Sequence, residues 1–103
     1  MNATTVPVEI VPMRRRHLKS VLRIESLVYP RPWSASLFLS EMALRSSRAY
    51  VVARAAGEVV GYGGLMMTMD DGHITTLAVD PHSQRQRIGT RLVCSLGFAQ
   101  RCA

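Results

Sequence analysis

The sequence predicts an α/β (α+β) domain spanning 1–103, with the element order β-α-α-β-β-β-α and a mostly antiparallel sheet. Three observations point there. Val6, Val8 and Ile10 alternate with Pro7 and Glu9, the period of a strand. His17, Val21, Ile24 and Val28 then recur at helical spacing, with Leu18 and Leu22 beside them. Later, three β-rich runs are separated by turn residues and lead into a polar loop and a second periodic apolar segment.

Taken in order, the first strand is expected at about 8–12 and a helix from Met13 to Val28. Arg14-Arg15-Arg16 opens that helix, where the dipole disfavours positive charge. The run reads as a solvated basic face or as a docking patch. Tyr29-Pro30-Arg31-Pro32 stops the helix, because proline lacks an N–H and restricts the residue before it. Ser34 suits the N-cap of a second helix at 34–46, with Trp33 and Phe38 placed as a hydrophobic staple. Strands follow at 49–54 and 59–69, joined by Ala56-Gly57-Glu58. Gly61, Gly63 and Gly64 within the second imply a bulge, a bend or a close approach. Met66, Met67 and Met69 read as core filler. Asp70-Asp71-Gly72 turns the chain into a strand at 73–79.

With 103 residues there is room for one small domain, and 48% hydrophobic content supports a packed core. The net charge of +6 comes almost entirely from arginine, since Lys19 is the only lysine. Such a charge favours anionic partners. No interleaving of stacking aromatics with basic residues is visible, so direct nucleic-acid binding is not expected. Cys94 and Cys102, without an apolar leader, read as reduced intracellular thiols. No apolar run reaches the ~20 residues of a membrane span. A cytoplasmic location is the default expectation, and no metal site is expected.

The stretch from Thr76 to Val93 organises the rest. An apolar strand ends at Asp80-Pro81, a basic loop follows, and Ile88, Leu92, Val93 and Leu96 mark one face of a helix. A strand, a loop and a helix N-terminus aim backbone N–H groups and a positive dipole end at one point, which suits a phosphate. Arg85, Arg87 and Arg91 add charge there.

Gln84-Arg85-Gln86-Arg87-Ile88-Gly89, directly after a strand, resembles the coenzyme loop of the GNAT superfamily of acyl-CoA-dependent N-acetyltransferases. Thr76-Leu77-Ala78-Val79-Asp80-Pro81 and the upstream Pro32-Trp33-Ser34 are most similar to the RimI-type ribosomal-protein alanine N-acetyltransferases. The resemblance covers roughly residues 8 to 96. It implies acetyl-CoA as co-substrate and transfer of its acetyl group to a primary amine, the N-terminal α-amine of a ribosomal or other protein. By register it places Leu77, Ala78 and Val79 on the pantetheine arm. Arg85, Gln86, Arg87, Ile88, Gly89 and Thr90 would hold the phosphates. Tyr29, Arg31 and Trp33 would wall the acceptor site.

Two departures stand out. Arg87 takes the place of the family's first glycine, at little cost if the local dihedral is ordinary. The chain also ends at Ala103, where family members usually continue with further strands and a helix. A C-terminally truncated member, its strand at 73–79 left as an edge, is the corresponding expectation. The resemblance puts the general base and acid beyond that point. Local substitutes are His73, whose ordinary pKa is near neutral, then Asp70, Asp71 and Glu58, with Tyr62 as an acid. The alternative is a catalytically inactive fragment that binds CoA or a partner.

Overall fold

The structure is a computed structural model. It describes residues 7–97, with the side chains of 84–86 left out of that description. Strand β1 (Val8–Pro12) is followed by helices α1 (Leu18–Val28) and α2 (Ala35–Met42). Strands β2 (Arg48–Ala55), β3 (Glu58–Met67) and β4 (Gly72–Val79) come next, and α3 (Ile88–Ser95) last. Short 3-10 turns cover Arg15–His17 and Pro81–Gln86. The sheet order is β1-β2-β3-β4, every pair antiparallel. The expected order of elements is thus observed, with β4 at an edge.

Three boundaries differ from expectation, each for a local reason. The helix expected from Met13 begins only after a 3-10 turn, because Arg14 is extended and its N–H donates to His17 Nδ1 at 2.9 Å. Helix α2 stops at Met42, since Leu44 O collects the N–H groups of Ser47 and Arg48 and turns the chain into β2. Strand β3 stops at Met67, where Thr68 N–H donates to Asp71 O at 2.8 Å and closes a turn. At the N-terminus of α2, Ser34 Oγ accepts from Leu37 N–H, and Trp33 stacks on Phe38 with ring centroids 5.0 Å apart, as the staple requires.

Helices cover both faces of the sheet. On one, Val21 and Ile24 of α1 and Phe38 of α2 pack with Val52 and Tyr62, all fully buried. Phe38 meets Tyr50 and Tyr62 edge-on, at 6.5 and 5.9 Å. On the other face, Ile88 and Leu92 of α3 pack on Ala53. Each such side chain contributes about 1.5–3 kcal/mol by leaving water.

The β3 glycines serve this packing. A Cβ on Gly61 would stand 3.2 Å from Leu92 Cδ1 and 3.3 Å from Ile88 Cγ2; one on Gly63 would stand 3.1 Å from Leu96 Cδ1. Bare backbone therefore lets α3 settle onto the sheet. On the opposite face a Cβ on Gly64 would overlap the Tyr50 ring, and the β3–β4 register shifts between Gly64 and Leu65. Both a close approach and a bulge are thus present.

The methionine expectation is corrected. Met67 and Met69 are exposed, Met69 at 99%, and Met66 is half-buried. Burial along β3 ends at Leu65, so these residues project past the packed layers. The expectation of a reduced thiol at Cys94 is also corrected, because Cys94 is disulfide-bonded. That expectation rested on the lack of a leader, which carries no information on local geometry. Cys102 lies outside the described residues.

His17 is buried, and its Nδ1 accepts a hydrogen bond only while unprotonated. Burial first, then the positive charges of Arg16, Arg54 and Arg14, hold its pKa below the ordinary 6.5. The unfolded chain therefore takes up this proton before the folded one does. Stability from this group is complete above the unfolded pKa and falls as pH drops from there toward the folded value. Thermal melts from about pH 7.5 down to about pH 5 are expected to show a falling Tm in the native chain and a flatter profile in His17→Asn. Equal slopes would remove His17 from the account.

Candidate active-site groove

The outer edge of β4 and the start of α3 form one site. Asp80 N–H donates to Val60 O at 2.8 Å, so that peptide faces β3. Alternation then turns the peptide groups of Leu77 and Val79 outward. Leu77 O indeed accepts from Tyr29 Oη at 2.6 Å, a bond from the residue capping α1 to the sheet edge. Between this edge and α3 lies a groove of about 420 Å³, lined by Val28, Leu77, Ala78, Val79, Arg87, Gly89 and Thr90.

Six of the nine residues expected at the coenzyme line this groove: Leu77, Ala78, Val79, Arg87, Gly89 and Thr90. Ile88 does not, since its side chain is fully buried against the sheet. The side chains of Arg85 and Gln86 lie outside the described residues; their backbone belongs to the 3-10 turn Pro81–Gln86.

The loop is anchored at its start. Asp80 is buried and caps the 3-10 turn, its Oδ1 accepting from His82 N–H at 3.0 Å. Its Oδ2 meets the Arg23 guanidinium at 3.1 Å. The His82 N–H, aided by Arg23, holds the Asp80 carboxyl below its ordinary range despite burial. Pro81 follows with its φ already set for the turn.

The loop ends in strain. Arg87 has φ 56° and ψ 26°, the left-handed region. The condition under which arginine replaces glycine cheaply is therefore not met, and the conformation costs about 1–2 kcal/mol. In return, a guanidinium stands exposed at the groove's mouth. Gly89 differs. A Cβ there would meet only Val79 Cγ2, at an ordinary 3.8 Å. Among the described residues nothing would crowd a Cβ at 89 more closely than this, and the first-turn N–H groups beside the groove stay approachable.

The expected acceptor wall is partly structural. Trp33 is half-buried on Phe38, Arg31 is exposed, and Tyr29 is bonded to Leu77. The residue that holds this region together was not anticipated. Glu25 is 1% exposed; its Oε2 accepts from Trp33 N–H at 2.9 Å and its Oε1 from the Tyr62 hydroxyl. One carboxyl thus joins α1, the loop before α2, and β3. Burial, then Glu25, pushes the Tyr62 pKa up. The sequence did carry a signal: Leu18, Val21, Glu25 and Val28 recur at i, i+3, i+7 and i+10, so Glu25 sits on the buried stripe.

The proposed acids and bases do not converge on the groove. His73 is exposed and pairs with Met66, six residues and on the order of 20 Å along β4 from Val79. Glu58, Asp70 and Asp71 are exposed in or beside turns, and Tyr62 is buried on Glu25. None of them lines the groove.

A strand edge here meets a glycine-containing helix start, with an arginine between them. Residues 18–96 match the model of the acetyltransferase (GNAT) family, and the chain belongs to that family. It is 31% identical over 80 residues to a Bacillus subtilis (strain 168) protein named, provisionally, as a ribosomal protein bS18-alanine N-acetyltransferase; the match covers 78% of this chain and 53% of that one. It is 31% identical over 102 residues to the N-alpha-acetyltransferase RimI of Mycobacterium tuberculosis (strain H37Rv), covering 93% and 64%. The chain therefore spans about half to two thirds of the length of these curated relatives. The fold matches the PaiA N-acetyltransferase of Thermoplasma acidophilum, solved with coenzyme A, at a TM-score of 0.76 and 15% identity, covering 92% of this chain and 70% of that one.

Substitutions at two positions probe this architecture. Arg87→Gly is expected to raise stability by about 0.5–1 kcal/mol in denaturant titration, while Arg87→Ala, which keeps a Cβ in the left-handed region, gains little. Glu25→Gln keeps an acceptor for Tyr62 but can set an NH₂ against Trp33 N–H; it is expected to destabilise by about 1–3 kcal/mol. A neutral result in either would deny the strain or the bridge.

Proposed function

We propose that the groove binds acetyl-CoA and that this family member transfers the acetyl group to a primary amine, the N-terminal α-amine of a ribosomal or other protein. The observation that carries the reading is the groove itself, where the outward edge of Leu77–Val79 meets Arg87, Gly89 and Thr90. Bound acetyl-CoA supplies a thioester carbonyl open to attack by an amine. The chain contributes placement. The β4 edge orients an extended amide-bearing arm in the manner of an added strand. Arg87 and the first-turn N–H groups of α3 neutralise phosphate charge. Tyr29, itself held to Leu77, and the Trp33 loop, held by Glu25, border the space an acceptor peptide would enter.

The relatives' names support the acceptor class: one names ribosomal protein bS18-alanine and the other N-alpha-acetylation. No helix among the described residues is long and apolar enough to cross a membrane; a cytoplasmic location is proposed along with the acceptor class. A second reading has its own support. Among the described side chains lining the groove, Arg87 is the only ionisable one, so no base or acid faces the reacting position. On that reading the chain binds the coenzyme, or a partner, without turnover.

Acetyl-CoA is expected to raise the Tm in a concentration-dependent way, since a ligand for the folded state stabilises it by mass action. Arg87→Ala should weaken binding, with a smaller deficit at high salt. Thiol release with an alanine-initiated peptide then separates the readings. Binding with release supports transfer, binding without release supports the second reading, and no shift at millimolar acetyl-CoA rejects coenzyme binding in both.

A further inference from the structure

A second cavity lies away from the groove and shares none of its lining residues. It measures about 440 Å³ and sits between the start of the first helical turn and the last turns of α2. Its floor is apolar: Met13, Leu39 and Met42. Its rim is basic: Arg14, Arg15 and Arg45, all exposed. A smaller hollow of about 210 Å³ continues it, sharing Met13, Arg14, Met42 and Arg45 and reaching Arg48.

The three rim arginines share one cavity and none of them is in an ion pair among the described residues. Among the described residues, ion pairs join Arg23 to Asp80, Arg48 to Glu41 and Arg54 to Glu9. Among the described residues no carboxylate lines either hollow, and Glu41, the one bonded to lining residues, is engaged by Arg48 and Tyr50. Like charges gathered around one cavity repel each other and raise the local potential.

We infer that this cavity is a binding site for an acidic peptide segment of a partner protein, one carrying an apolar side chain beside its carboxylates. The apolar residue enters over Met13, Leu39 and Met42, and the carboxylates pair with Arg14, Arg15 and Arg45. Methionines suit the floor because unbranched thioethers reshape around different apolar side chains. Arginine suits the rim because its planar fork matches a carboxylate. Leu44, 44% exposed next to Arg45, extends the apolar surface at this end of α2. A single-stranded nucleic acid fits less well. Such sites stack bases on exposed aromatic faces. The one aromatic side chain at either hollow, Tyr50, is buried, with its hydroxyl bonded to Glu41 and Thr75.

The test uses the full 103-residue chain and a fluorescein-labelled hexapeptide alternating glutamate with leucine. Fluorescence anisotropy is expected to show saturable binding that weakens with salt. Arg14→Ala and Arg45→Ala are each expected to weaken it about three- to tenfold, while Arg91→Ala on α3 leaves it unchanged. These arginines are exposed, and matching melting curves confirm that the variants fold. Replacing the leucines by serine should abolish binding. The inference is overturned by the absence of peptide binding, by binding that survives both arginine substitutions, by equal binding of the serine peptide, or by tighter binding of an oligouridylate of equal charge. Loss of peptide binding in Arg87→Ala alone would place the peptide in the coenzyme groove and overturn it too. None of these outcomes depends on acetyl transfer, so the inference stands or falls apart from the proposed function.

Discussion

The contact between α3 and the bare backbone of β3 sets the geometry on which the rest depends. Ile88 and Leu92 reach Gly61, and Leu96 reaches Gly63, so closely that a Cβ at either glycine would press on them at 3.1–3.3 Å. A helix lodged that closely has its orientation fixed by the sheet beneath it. Its N-terminus then falls beside the end of β4, and the groove is what remains between them. The site is in this sense a by-product of packing: glycine in the middle of a strand forgoes strand stability and gains a helix position.

The loop that spans this gap is held at one end and strained at the other. Asp80 gathers His82 N–H and Arg23 and starts the 3-10 turn. Arg87 ends it in a conformation that suits glycine better. Placing the cost at Arg87 keeps a guanidinium where the helix dipole and the groove coincide. A glycine would relieve the backbone at once.

Much of this was legible in the residues. Alternation in β1, the cap and staple at Ser34 and Trp33, and the two turn sequences each act over a few positions, so local reading sufficed. The strand-loop-helix register likewise located six of the groove residues, because backbone position follows from element order. What depended on tertiary partners was not legible. Met67 and Met69 are apolar yet lie past the layers that would have covered them. The partners of Glu25, Tyr62 and Trp33, come to it only through the fold. The dihedral of Arg87 likewise follows from how the turn must join α3, which no spacing rule reveals.

The bond from Tyr29 to Leu77 also bears on solubility. A border strand offers its outward carbonyls and amides to any extended chain that drifts past, and this is how sheets come to grow between molecules. Here a phenol already occupies one of those carbonyls. A visiting strand would have to displace it before it could pair in register along β4. The same hydroxyl that ties α1 to the sheet therefore acts as a guard, making unintended polymerisation along this border costlier than the bare topology suggests.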